Sequence, residues 1–201
     1  KGGTVVNVFT EKTEVADIAI EDGYIAGIGD YEGEHNVDLS GRYICPGFID
    51  GHIHIESAMV SPPEFEKAVL PHGTTAVIAD PHEIGNVAGC QGIDYMLETT
   101  KDLDLDVFIM MPSCVPATAL DESGAVLGPE DLKPYYDNPR VLGLAEVMNS
   151  LGVVAGMDDL MGKLSDAGSR GKVIDGHAPF LEGNGLNAYV CAGVLSDHEC
   201  S

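Results

Sequence analysis

The chain has 201 residues, 44% of them hydrophobic, and its 33 acids against 10 bases give a formal charge of -23. Such length and apolar content support a buried core in one or two domains and exclude a disordered polyanion. The charge argues against nucleic acid or an anionic membrane surface as a partner, since both would be repelled. The acids are scattered and not gathered into a tail, as in a solubility device such as adaptation to high salt. Five cysteines (Cys45, Cys90, Cys114, Cys191, Cys200) stand far apart without a CxxC. Neither a disulfide framework nor a thiolate zinc site is indicated, and a reducing cytoplasm is the expected location. No apolar run approaches the roughly 20 residues that a membrane-spanning helix needs, so no membrane partner is expected.

In chain order, residues 2–44 hold short alternating runs, TVVNVF, VADIAIED and YIAGIGD, separated by turns at Glu11 to Thr13 and at Asp22-Gly23. These predict a small antiparallel β unit, assigned to residues 1–45 and expected to form part of a composite β-sandwich. Pro46-Gly47 then redirects the chain. From there apolar strands alternate with helices: GFIDGHIH, TAVIAD, DVFIMM, VLGLAEV, KVIDGH and GVLSDH end at His54, Asp80, Met111, Val147, His177 and His198, at intervals of 21 to 36 residues. Such intervals fit βα units. Ser61-Pro62-Pro63-Glu64 reads as a capping box with proline at the first helical position, and Gly73 follows His72 where that helix should stop. Helices are also predicted over 92–100 and 153–164. The fold class is therefore α/β: an incomplete TIM-like (β/α)8 barrel with about six βα units, over residues 46–201, truncated before strands 7 and 8. The chain is accordingly expected to be the N-terminal portion of a longer polypeptide.

Side chains at i and i+2 of a strand share a face, so Asp50, His52 and His54 lie together at the end of the first barrel strand. In a parallel barrel the carboxyl ends of the strands meet at one rim, which brings Glu146, His177 and His198 to the same place. Neutral imidazoles and one carboxylate, which can bridge two ions, suit zinc, manganese or ferrous iron. Taken singly, each could be an unrelated polar residue at a strand end; together they point to a metal site. Asp80, His82 and Glu83 end the second strand beside this set. Asn86 reads as a helix N-cap. Ser113, Cys114, Asn149 and Ser150 follow strands three and four, where they line a pocket or serve as polar loop residues. The glycine pairs lack a phosphate-loop pattern, and GNG after Glu182 reads as a turn.

PGFIDGHIH following a small β unit resembles the first barrel strand of the metal-dependent amidohydrolase superfamily. The long run HIHIESAMVSPPEFEKAVLPHGTTAVIADPHEIGNVAG, with AEVMN, DGHAP and SDHE after it, resembles the adenine deaminase branch, through nearly the whole chain. The resemblance implies metal ligation by His52, His54, Glu146, His177 and His198, with Glu146 in place of the carboxylated lysine of other branches. It further implies a pair of Mn2+ or Fe2+ ions, with Zn2+ an option, and adenine as substrate, hydrolysed to hypoxanthine and ammonia in purine salvage. A homo-oligomer, a dimer, is expected. The family's strand-eight aspartate has no counterpart here, so these 201 residues alone are expected to be inactive. Attack on the purine requires protonation of a ring nitrogen. Glu199, Glu56 and Glu83 are the candidate acids, each alternatively a supporting or solvated carboxylate. Asp80, His82 and Asn149 are candidate substrate contacts. Rival readings are an N-acetyl-sugar deacetylase of the same superfamily, or a non-catalytic metal-binding module. None of the ten Lys and Arg residues directly follows a proposed barrel strand, which favours a neutral aromatic substrate over a phosphosugar.

Overall fold

A computed structural model describes residues 1–199. Cys200 lies outside the described residues. Two compact units are present, residues 1–47 and the chain from Phe48 onward.

The first unit is a four-stranded sheet of order β3-β2-β1-β4, built from β1 (Gly3–Asn7), β2 (Lys12–Glu21), β3 (Tyr24–Gly29) and β4 (Tyr43–Ile44). Asp22 and Gly23 both have positive φ, +50° and +80°, as the tight two-residue turn between β2 and β3 requires. The expectation of a purely antiparallel unit needs correction: β4 lies parallel to β1, pairing Thr4 with Tyr43 and Val5 with Ile44.

The second unit is a curled, wholly parallel half-barrel of six strands with helices. Its strands are β5 (Phe48–Ile53), β6 (Thr74–Ala79), β7 (Asp106–Pro112), β8 (Val141–Val147), β9 (Val173–Gly176) and β10 (Ser196–Asp197), and their spatial order follows the chain order. The helices are α1 (Pro62–Val69), α2 (His82–Ala88), α3 (Cys90–Thr99), α4 (Pro129–Leu132), α5 (Ser150–Val154), α6 (Asp158–Ser169) and α7 (Gly183–Cys191). The central strands are buried on both faces, as a parallel sheet covered by helices requires: every residue of β8 except Leu142 is buried. Val77, Ile109, Met111, Val141, Leu144 and Val147 form the middle of the core. Edge strand β5 is largely exposed.

Four helix-level expectations change. Ser61 does occupy the N-cap of α1, but its side chain makes no capping bond; Glu64 N–H and Phe65 N–H donate to its backbone carbonyl instead. The helix expected over 153–164 is two helices, because Gly156, at φ +68°, turns the chain between α5 and α6. Asn86 lies inside α2, where its amide donates to the His82 carbonyl, so it caps nothing. GNG opens helix α7 and is not a free turn; Gly183 there has φ +57°. Gly73 does end the helical segment after α1, at φ +97°.

Candidate metal centre

The sequence brings its ligands to the rim by local rules. β5 ends at Ile53, and His54 is the extended residue that caps a short 3-10 turn, Ile55–Ala58. The β5–β6 register shifts between Asp50 and Ile53, and Asp50 Oδ1 accepts the His52 N–H at 3.1 Å. Asp50 therefore braces the backbone of the HxH pair.

Glu146, the penultimate residue of β8, lies at the centre. Its Oε1 is 2.5 Å from His52 Nε2, 2.9 Å from His54 Nε2 and 3.4 Å from His198 Nε2. His177 joins through His198, with Nδ1 at 3.1 Å from His198 Nε2. The five side chains expected to converge are thus brought together, and Glu146, His177 and His198 offer atoms mutually within 4.8 Å. Burial by itself pushes the Glu146 carboxyl upward, but hydrogen bonds from His52 and His54 outweigh it and hold the group well below the usual carboxylate range. The same bond from Glu146 raises His54 to about 9 against the opposing effect of burial.

Outer contacts aim the rings. His54 Nδ1 lies 2.9 Å from the Asp80 carbonyl, and His198 Nδ1 lies 3.0 Å from Asp175 Oδ2, which leaves Nε2 of both rings pointing at Glu146. Tyr189, fully buried, fixes the ends of two strands: its hydroxyl donates to the Val147 carbonyl at 2.6 Å and accepts the His177 N–H at 3.1 Å.

Asp80 and His82, expected to contact substrate, stand within the same donor set as His54 and Glu146. Their Oδ2 and Nδ1 are 3.2 Å apart. Burial raises the Asp80 carboxyl, with His82 opposing, and Asp80 Oδ1 is buried without a hydrogen-bond partner. An Asp80 carboxylate oxygen left unpaired at 1% exposure, in a donor set with His54, His82 and Glu146, suits a divalent cation, which would supply the partner that this oxygen lacks.

The remaining expected residues are placed less centrally. Asn149 caps α5, its Oδ1 accepting the Gly152 N–H at 2.9 Å. Ser113, Cys114 and Asn149 line a cavity of about 360 Å3 that includes Lys163 and none of the metal-ligand candidates. Of the candidate acids, Glu83 accepts the Ser57 hydroxyl at 2.6 Å, and Glu199 is exposed and absent from the donor groups among the described residues. Glu56 Oε1 accepts the Ile84 N–H at 3.1 Å, while Oε2 is buried and unpaired; burial raises this carboxyl. Asp197 is structural: its carboxylate accepts the N–H groups of Ala178 and Glu199. Asp175 was missed by sequence reasoning. Its signal was present, because Asp175 stands two residues before His177 as Asp50 does before His52.

Comparison with known proteins decides the family. The amidohydrolase family pattern matches residues 43–201. The chain belongs to the amidohydrolase family. Among amidohydrolase relatives, an adenine deaminase of Clostridium acetobutylicum is 55% identical over 201 residues, covering all of this chain and 35% of that protein. One from Bacillus subtilis is 51% identical over 199 residues, covering 99% of this chain and 34% of that protein. The chain thus spans about a third of the length of the relatives it matches. Solved amidohydrolase-like structures share the fold at low identity. Atrazine chlorohydrolase TrzN from Arthrobacter aurescens, complexed with zinc, matches with TM-score 0.54 at 18% identity, covering 88% of this chain and 51% of its own. N-acetyl-D-glucosamine-6-phosphate deacetylase from Mycobacterium smegmatis matches with TM-score 0.53 at 16% identity, covering 86% and 52%.

Proposed function

We propose that this chain contributes most of the metal centre of an adenine deaminase, a hydrolase that converts adenine and water to hypoxanthine and ammonia. The observation that carries the reading is the Glu146 carboxylate, within 3.4 Å of three imidazole nitrogens from two segments far apart in the chain, His52 and His54 from one and His198 from the other. Relatives bearing that name at 50 to 55% identity support the substrate.

His52, His54, Glu146, His177 and His198 would hold a pair of Mn2+ or Fe2+ ions, with Asp80 and His82 beside them. Zn2+ is the third option. Such ions, when bound, supply a water activated for attack on a carbon bearing a leaving amine. Glu146 places negative charge among the imidazoles and keeps it there, since its carboxyl stays ionised across the working range. Asp80 and Asp175 hold His54 and His198 in the tautomers that present Nε2. Of the three carboxyls considered for protonating the purine ring, Glu56 is the choice here, because its Oε2 alone is both buried and unpaired. We also read the protein as a cytoplasmic homodimer of purine salvage; no helix among the described residues is long and apolar enough to cross a membrane. Residues 1–45 are read as part of a composite β-sandwich and residues 46–201 as a metal-binding (β/α) barrel truncated before strands 7 and 8.

The test is to load the full-length protein with Mn2+, supply adenine and follow ammonia release, beside a His52→Ala variant. Release by the wild type and its loss in the variant are expected. Cleavage of an N-acetyl sugar, with no ammonia from adenine, would refute the assignment.

A further inference from the structure

The backbone at Glu146 is unusual. Its φ is +32°, a conformation that non-glycine residues rarely adopt, in a strand whose other residues are ordinary. Such a residue persists only where its surroundings hold it. Two contacts do so. The Glu146 carbonyl accepts the Met148 N–H at 2.5 Å and the Ser113 hydroxyl at 2.6 Å. Ser113 is 1% exposed and follows the end of β7, the neighbouring strand.

Ser113 is itself anchored. Lys163, on α6, is only 3% exposed, and its Nζ donates to the Ser113 carbonyl at 2.9 Å and to Asp159 Oδ2 at 2.7 Å. A buried ammonium is costly unless its hydrogen bonds are made, and this one is spent on a backbone carbonyl at a strand end. Sequence position hides the link, because the lysine comes from a helix 50 residues on. Asp159 belongs to none of the donor groups found among the described residues.

We propose that Ser113 is a positioning residue for the Glu146 carboxylate, with Lys163 as its anchor; this rests on the reading of Glu146 as a metal ligand. The hydroxyl holds the Glu146 carbonyl, the carbonyl fixes the left-handed backbone, and the backbone aims Cβ so that Oε1 meets three imidazoles. Without the hydroxyl the residue relaxes toward extended backbone, Cβ swings, and the carboxylate leaves the centre. Misplacement of this kind typically weakens metal binding ten- to hundredfold.

The experiment measures Mn2+ stoichiometry and affinity, and the EPR spectrum of the loaded state, in the full-length protein. The variants are Ser113→Ala, Ser113→Thr, Lys163→Met and Glu146→Gln. Ser113→Ala and Lys163→Met are expected to bind Mn2+ about ten- to hundredfold more weakly with an altered spectrum, and Ser113→Thr, which keeps the hydroxyl, to restore both. Wild-type affinity and spectrum in Ser113→Ala would overturn the proposal, as would a threonine variant no better than alanine. If Ser113→Ala does not fold, Ser113→Cys replaces it; weakened binding is then expected, and wild-type binding overturns the proposal. Glu146→Gln separates the two layers. If it binds Mn2+ like wild type, the metal reading fails and this proposal with it. If it loses Mn2+ while Ser113→Ala keeps it, only the positioning role fails.

Discussion

Replacing Gly143 by alanine is a severe test of how β8 is seated. Gly143 pairs with Val173 of β9, and a Cβ added to it would lie 1.9 Å from the Val173 carbonyl oxygen and 2.7 Å from its carbon. Real Cβ contacts stay above 3.0 Å, and a backbone carbonyl cannot rotate aside as a side-chain tip can, so the strands must part by about 1.1 Å. Ladder bonds of ordinary length are then stretched to about 4 Å and lost. Two such bonds at about 1 kcal/mol each, with buried groups left unpaired at about 1–3 kcal/mol, put the destabilisation at about 3–5 kcal/mol. That is a large part of the total stability of an ordinary domain. Urea unfolding of the full-length protein, followed by far-UV circular dichroism, should show a midpoint lowered by roughly 1–2 M. The displacement also separates Glu146 from His177, so Mn2+ affinity should fall in the folded fraction. A stability loss below about 1 kcal/mol would refute the reasoning, since strand separation cannot be that cheap.

Further outcomes are expected. Tyr189→Phe removes the hydroxyl shared by Val147 and His177 and should cost about 1–3 kcal/mol in urea unfolding. Asp175→Asn should leave stability near wild type but weaken Mn2+ binding about tenfold or more in equilibrium dialysis, because His198 loses the carboxylate that sets its tautomer. Leu144→Ala, at a side chain with no exposure, should cost about 2–5 kcal/mol, read as a lowered thermal midpoint. Chelating the divalent ions should lower that midpoint in wild type, and Mn2+ at about a hundredfold over its Kd should restore about 2.7 kcal/mol; no recovery in Glu146→Gln is expected.

Much of the second unit was legible because parallel βα architecture writes a repetitive signal. Apolar runs such as TAVIAD and DVFIMM lie near β6 and β7 with boundaries off by a residue or two. Convergence of His52, His54, Glu146, His177 and His198 was equally legible, since a strand's carboxyl end is where a parallel sheet places its polar residues. What could not be read was everything set by contacts between elements. Tyr43–Ile44 has no pattern of its own, so its parallel pairing depends on what β1 offers. Asp80 and His82 were visible as rim residues, but whether they face a substrate or join His54 depends on where β6 lies against β5. Lys163 carries the clearest lesson: a cation 50 residues from Ser113 in the chain serves the third strand's end, and no local spacing encodes that meeting.

The stacking of His52 on His198, with ring centroids 3.9 Å apart and planes 11° from parallel, joins residues carried by the first and last strands of a six-strand sheet. Laid flat, five inter-strand gaps would hold those margins roughly 24 Å apart. The bending of the sheet is therefore what makes them neighbours. An ion held there would act as a clasp: it would resist uncurling, and its release would relax the sheet's margins before its middle.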